Sequence, residues 1–133
     1  MATARRLVAL IAALHGALGV ALAAAAAHVD ASANLSTASQ FLMVHASAGL
    51  ALAALAEFAG RRSRRLVVAS LVLQGGVTLF CLDLAWRGFG HGRLFPNAAP
   101  IGGSLTILSW LALSVLMAFR LAEPRGTSEG PKT

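Results

Sequence analysis

The 133-residue sequence contains few charged residues, a single cysteine and no tyrosine. Charged side chains make up 12% of the chain and hydrophobic ones 57%, and the mean hydropathy is +0.73. A soluble domain of this size could not bury so much apolar surface, because small domains expose a large share of their atoms. Cys81 cannot form an internal disulfide, which excludes a disulfide-stabilised scaffold. The composition therefore indicates a membrane protein.

The positive charge does not have the pattern of a nucleic-acid-binding surface. The formal net charge is +6, but the cations lie between apolar runs and do not form a stripe with interleaved aromatic residues. The sequence has no nucleotide-binding fingerprint, and its serines have no histidine and acid near them in the chain. We therefore predict a protein that is not an enzyme and that binds neither nucleic acid nor a cofactor.

Four apolar runs account for most of the sequence. They predict helices over residues 7–27, 38–59, 66–84 and 100–120. Each run has about 20 residues, which is enough for a helix to cross a bilayer core of about 30 Å. We expect an all-α fold, an integral membrane four-helix bundle with up-down-up-down order, over residues 1–122. The polar residues 123–133 are expected to form a disordered tail.

Lysine and arginine are unevenly distributed along this order. Nine of them lie before the first run, between the second and third runs, or at and after the end of the fourth. The two remaining loops hold only Arg87 and Arg93. Because cytoplasmic segments carry an excess of such residues, we expect a bacterial cytoplasmic (inner) membrane protein with both termini in the cytoplasm.

The first apolar run also has features of a cleaved signal peptide. Arg5 and Arg6 precede it, and the alanines before His28 offer small-residue cleavage sites. The run is longer than a usual signal core, however, and His15 and Gly16 interrupt it. We expect the helix to be retained. The alternative is a mature chain that begins near His28 and has three helices.

Three stretches of the sequence carry a resemblance to a known family. They are AAH at 26–28, TASQFLMVHA at 37–46 and APIGGSLTILSW at 99–110. In their order and spacing they resemble the YgdD-like family of small membrane proteins (domain of unknown function 423, similar to transmembrane protein 256). The resemblance covers roughly residues 8–118. It implies four helices and an uncleaved first helix, and the family brings no established activity.

Polar side chains inside the apolar runs are the candidate functional residues, because a membrane makes them costly. His15 and Gln74 have similar predicted depths, and we expect a hydrogen bond between them to join the first and third helices. His45 differs from His15 by about 9 Å in height at 1.5 Å per residue, which disfavours one metal ion or haem between the two histidines. Gln40 forms a predicted capping box with Thr37 at the start of the second helix.

The start of the fourth predicted helix is the expected neighbour of His45. Gly102 and Gly103 leave its first turns bare, so a side chain can approach the free N–H groups there. The arrangement would either hold the second helix against the fourth or form a shallow outer pocket for a small polar or anionic group. The candidate polar and packing residues are His15, His28, Gln40, His45, Gln74, Pro100, Gly102 and Gly103.

The segments 15–24 and 45–54 share six of ten residues, beginning with His15 and His45. We attribute this similarity to chance between two helices rich in alanine and leucine. The alternative is an inverted repeat of the kind from which transporter sites are built.

Small residues at helical spacing favour a structural role, because they let membrane helices pack closely. We predict a non-enzymatic structural or accessory subunit that acts through intramembrane helix contacts. Its partners would be the lipid bilayer and a larger membrane protein complex. A small transporter or carrier with a His/Gln polar core is the alternative, and a membrane protein that binds a cofactor or metal is a weaker one.

Overall fold

The computed structural model describes residues 2–28, 33–60 and 63–121 of the chain. These residues form the helices α1 Ala2–His28, α2 Ala33–Glu57, α3 Ser63–Gly88 and α4 Ala98–Leu121. All four helices are long and apolar enough to cross a membrane. The prediction of an all-α chain with four helices of membrane-spanning length is therefore confirmed. The tail predicted at 123–133 lies outside the described residues.

The helices extend beyond the apolar runs that predicted them. α2 begins at Ala33, so Thr37 and Gln40 lie inside the helix and do not cap its start. The added turn packs inward through Leu35, which is fully buried. α3 continues to Gly88, and in its last turns Arg87 forms an ion pair with Asp83 one turn earlier, a spacing that stabilises a helix.

α1, α2 and α3 pack together, and α4 packs against α3. Small residues bring α1 and α2 close, since a Cβ added at Gly19 would lie 3.2 Å from the backbone of both Ser39 and Met43. The Ser39 hydroxyl donates to the Gly19 carbonyl across this contact at 2.8 Å. Arg5, near the start of α1, forms an ion pair with Glu57 at 2.9 Å. Early residues of α1 thus contact late residues of α2.

The similar segments 15–24 and 45–54 face each other in this helix pair. Gly16 and Ala46 hold the second position of each segment, and a Cβ added at Gly16 would lie 3.6 Å from the Ala46 Cβ. His15 and His45 hold the first position, and both are buried. Two antiparallel helices are related locally by a twofold axis whatever their sequences, so this close approach follows from their packing.

α4 approaches α3 so closely that the two backbones touch. A Cβ added at Gly102 would lie 2.5 Å from the Phe80 nitrogen and 2.7 Å from the Gly76 carbonyl oxygen. A Cβ at Gly76 would in turn lie 2.9 Å from the Gly102 carbonyl oxygen. Glycine is therefore required on both helices at this crossing.

The connection between α3 and α4 folds back onto the end of α3. Gly90 has a φ of 86°, and its N–H donates to the Arg87 carbonyl while the His91 N–H reaches back to the same last turn. These two bonds form the Schellman ending that favours glycine. Asp83 is fully buried and accepts from the Arg87 guanidinium and, at 2.8 Å, from the Leu94 N–H. One carboxylate thus fixes both the helix end and the loop.

Candidate functional site

Polar side chains, three of them buried, form a series of hydrogen bonds that reaches all four helices. Its members, called the polar network below, are His15 from α1, His45 from α2, Gln74 and Thr78 from α3, and Trp110 from α4. His15, His45 and Gln74 are only 3%, 6% and 0% exposed, so their polar atoms depend on partners within the protein.

The link between α1 and α3 runs through Thr78. His15 Nε2 lies 2.8 Å from the Thr78 hydroxyl oxygen, and that hydroxyl donates to the Gln74 backbone carbonyl at 2.7 Å. Because the hydroxyl hydrogen is already used, His15 donates through Nε2 and its Nδ1 is an acceptor. Thr78 lies one turn after Gln74 on the same face of α3, and it is the partner that the sequence prediction did not name.

Gln74 links α3 to α2 through a notch at Gly49. Its amide Nε2 donates to the His45 backbone carbonyl at 3.1 Å. A Cβ at Gly49, one turn after His45, would lie 1.9 Å from that amide nitrogen and 2.7 Å from the Ala12 Cβ of α1. Three helices therefore meet at a position where only glycine leaves room.

Two acceptor atoms of the network have no hydrogen-bond partner among the described residues. They are His15 Nδ1 and Gln74 Oε1, and both are buried. The two side chains are close enough to interact, so one proton or one water molecule between them would satisfy both atoms. Within the same parts of the chain, no three His, Cys, Asp or Glu side chains come together as metal ligands would.

His45 links α2 to α4. Its Nδ1 donates to the Phe41 carbonyl one turn earlier at 2.7 Å, and its Nε2 accepts from the Trp110 indole at 3.2 Å. An indole N–H can only donate, so His45 is neutral and carries its hydrogen on Nδ1. Phe41 stacks on the imidazole with ring centroids 5.4 Å apart and also packs against Phe80.

The structure places His45 against a different part of α4 from the one that the sequence analysis predicted. Its partner Trp110 lies two turns further along α4 than Gly103. Gly102 packs on the backbone of α3, and a Cβ at Gly103 would lie 3.8 Å from the Phe80 ring of the same helix. Among the described residues, the start of α4 thus packs on α3 and not on α2.

Three further candidate residues lie outside the polar network. His28, at the end of α1, is exposed, as are Gln40 in α2 and Pro100 in the first turn of α4. The candidates that the structure brings together are His15, His45 and Gln74.

Four helices of membrane-spanning length, joined by buried polar side chains, define a multi-pass membrane protein. A family model described as Protein of unknown function (DUF423) matches residues 12–103. The chain belongs to this DUF423 family, which confirms the resemblance seen in the sequence. The match begins at the three-helix junction around Ala12 and ends at Gly103, in the second turn of α4. No solved structure matches the chain.

Proposed function

We propose that this protein is a non-enzymatic accessory subunit that acts through contacts with other proteins inside a bacterial cytoplasmic membrane. The observation that carries the proposal is that the buried polar side chains join helices. His15, His45 and Gln74 each form a hydrogen bond with another helix. Such bonds hold membrane helices together. Because the polar groups of the interior hold the helices together, the bundle would act through its outer surface.

α4 offers the most peripheral surface for a partner. Only 22% of its span is buried, and among the described residues its backbone approaches α3 alone. Its outward face carries Ile107 and Leu111, which are 63% and 59% exposed. α1 is as exposed, with Leu10 and Leu14 at 58% and 54%, but it contacts both α2 and α3. Leu10 and Leu14 therefore serve as control positions whose exposure is close to that of Ile107 and Leu111.

The partner is tested by photo-crosslinking in membranes of the native organism. We expect a photoreactive residue at Ile107 or at Leu111 to give one protein adduct of the same mass. We expect none from Leu10 or Leu14, because α4 is the docking helix. The same protein should co-purify with the wild type in mild detergent and be lost from Ile107→Trp. Lipid adducts alone at all four positions would contradict the accessory role.

A second candidate function is a carrier for protons or a small polar solute. The observation that favours it is the pair of unpartnered acceptors, His15 Nδ1 and Gln74 Oε1, buried between membrane-spanning helices. Polar groups at such depth are typical of transport pathways. The crosslinking experiment separates the two candidates, because a carrier of this kind needs no partner on α4.

We further propose that the helices cross the membrane alternately, with both termini in the cytoplasm. The nine-to-two division of lysine and arginine supports this orientation. The order of contacts supports the alternation, since Arg5 pairs with Glu57 whereas Gly19 pairs with Ser39.

Single-cysteine labelling tests this topology in a Cys81→Ala background. We expect a membrane-impermeant maleimide to label Gly92→Cys in intact cells, and to label Ala2→Cys and Arg64→Cys only after lysis. Labelling of Arg64→Cys before lysis would overturn the orientation. Loss of position 2 from the purified chain, seen as a lower intact mass, would show that α1 is cleaved.

A further inference from the structure

A groove runs along the outer surface between α3 and α4. Its walls are aliphatic, with Val68 and Val72 from α3 and Leu108, Ala112 and Val115 from α4. The groove has a volume of about 990 Å³, which is at the upper end of the range of about 300–1,000 Å³ for ligand sites. It therefore has room for a ligand as large as a lipid chain.

One end of this groove is cationic. Arg64 and Arg65, the second and third residues of α3, both line it and both are exposed. The start of α3 adds backbone N–H groups and the positive end of the helix dipole, which attract anions. A long apolar wall with a cationic end is complementary to an amphipathic molecule with an anionic head.

Two buried serine hydroxyls have no hydrogen-bond partner among the described residues, and one of them, that of Ser109, belongs to the groove wall. Ser63, next to Arg64, is 7% exposed, and Ser109, on the groove wall, is 4% exposed. Other buried hydroxyls, such as those of Ser70 and Thr106, donate to the carbonyl one turn earlier. Ser63 does not line the groove, so the groove's cationic end consists of Arg64 and Arg65.

From these observations we propose that the groove binds an anionic glycerophospholipid, with its phosphate on Arg64 and Arg65 and its acyl chains along the aliphatic walls. At about 1.5 Å per residue, the α3 wall from Arg64 to Val72 is about 12 Å long and the α4 wall from Leu105 to Leu116 about 17 Å, each about half of a core of about 30 Å. The ligand is therefore a lipid from the leaflet on the side of these arginines. Cationic pockets between membrane helices bind such headgroups. The groove shares Leu111 with the docking face of α4, but the lipid proposal does not rest on the accessory role.

Native mass spectrometry of the purified protein tests this site with phosphatidylglycerol and with phosphatidylcholine of the same acyl chains. We expect phosphatidylglycerol to bind about tenfold more tightly, as two arginines beside a phosphate would produce. The double variant Arg64→Gln/Arg65→Gln should bind both lipids alike, and Arg64→Lys/Arg65→Lys should keep the preference. Equal binding of the two lipids by the wild type would overturn the proposal.

Two matched variants distinguish the groove from general charge and surface effects. Arg6→Gln/Arg93→Gln removes two exposed arginines outside the groove and should leave the preference intact. Ala112→Trp fills the groove and should abolish phosphatidylglycerol binding, whereas Ala118→Trp, elsewhere on α4, should not. If Arg6→Gln/Arg93→Gln loses the preference for phosphatidylglycerol, the proposed site is wrong. A wild-type dimer that Ala112→Trp converts to a monomer would also overturn it, because the occupant would then be a second copy of the chain.

Discussion

Replacing Gly102 with alanine is expected to separate α4 from α3. The new Cβ would lie 2.5 Å from the Phe80 nitrogen and 2.7 Å from the Gly76 carbonyl oxygen. Both are backbone atoms, so neither can rotate away and the helices must move apart. Overpacking costs about 1–3 kcal/mol where side chains can adjust, and we expect a loss at the upper end of that range or beyond it. Thermal unfolding in detergent, followed by circular dichroism, measures the effect.

The neighbouring residue provides the control for this prediction. A Cβ at Gly103 meets only the Phe80 ring, at an ordinary 3.8 Å, so Gly103→Ala should unfold at the wild-type temperature or above it, since alanine favours a helix more than glycine does. Tryptophan fluorescence adds a local readout, because the bond from Trp110 to His45 depends on the position of α4. If Gly102→Ala matches Gly103→Ala in both measurements, the direct backbone contact is contradicted.

Replacing Gly49 with alanine is expected to disrupt the junction of α1, α2 and α3. The added Cβ would lie 1.9 Å from Gln74 Nε2 and 2.7 Å from the Ala12 Cβ. Gln74 would have to give up its bond to the His45 carbonyl, and an unpaired buried polar group costs about 1–3 kcal/mol. We expect a destabilisation of at least about 2 kcal/mol, from the overpacking and the lost bond together, measured by denaturant titration in detergent.

Two further variants make this prediction specific to the junction. Gly75→Ala changes a helical glycine with no heavy atom within 4 Å of its added Cβ, so its stability should be at or above the wild-type level. Gly49→Ala/Gln74→Ala removes the more severe of the two clashes and should recover part of the lost stability. A Gly49→Ala protein as stable as Gly75→Ala would show that the junction tolerates a side chain. A double variant with no recovery would show that the clash with Gln74 is not the source of the lost stability.

The depth of a residue in this protein could be predicted from sequence, and the direction of its side chain could not. Helix rise is constant, so counting from the ends of the apolar runs placed His15 and Gln74 at one level, and their side chains do lie close together. Rotation about the helix axis is different. These helices are apolar on nearly every side, so no amphipathic pattern marks the inward face. For this reason the sequence did not show that Gln40 is exposed, or that Thr78 forms the hydrogen bond with His15.

Which helix the start of α4 packs against could not be predicted from the sequence either. The prediction brought the start of this helix against α2, because both helices begin on the same side. In the structure, Asp83 holds the loop at Leu94 against the end of α3, and the helix that follows therefore starts along α3. A buried carboxylate binding a backbone N–H eleven residues later leaves no periodic signal in the sequence.

The order in which the helices pack follows their order in the chain. α2 contacts α1, α3 contacts both, and α4 contacts α3, so each helix meets its neighbours among those already synthesised. Chains emerge from the ribosome with the N-terminus first. The first two helices can form their small-residue contact alone, and the notch at Gly49 then stays open until Gln74 arrives with α3. The bundle can thus assemble during its own translation, one helix at a time, without waiting for the last one.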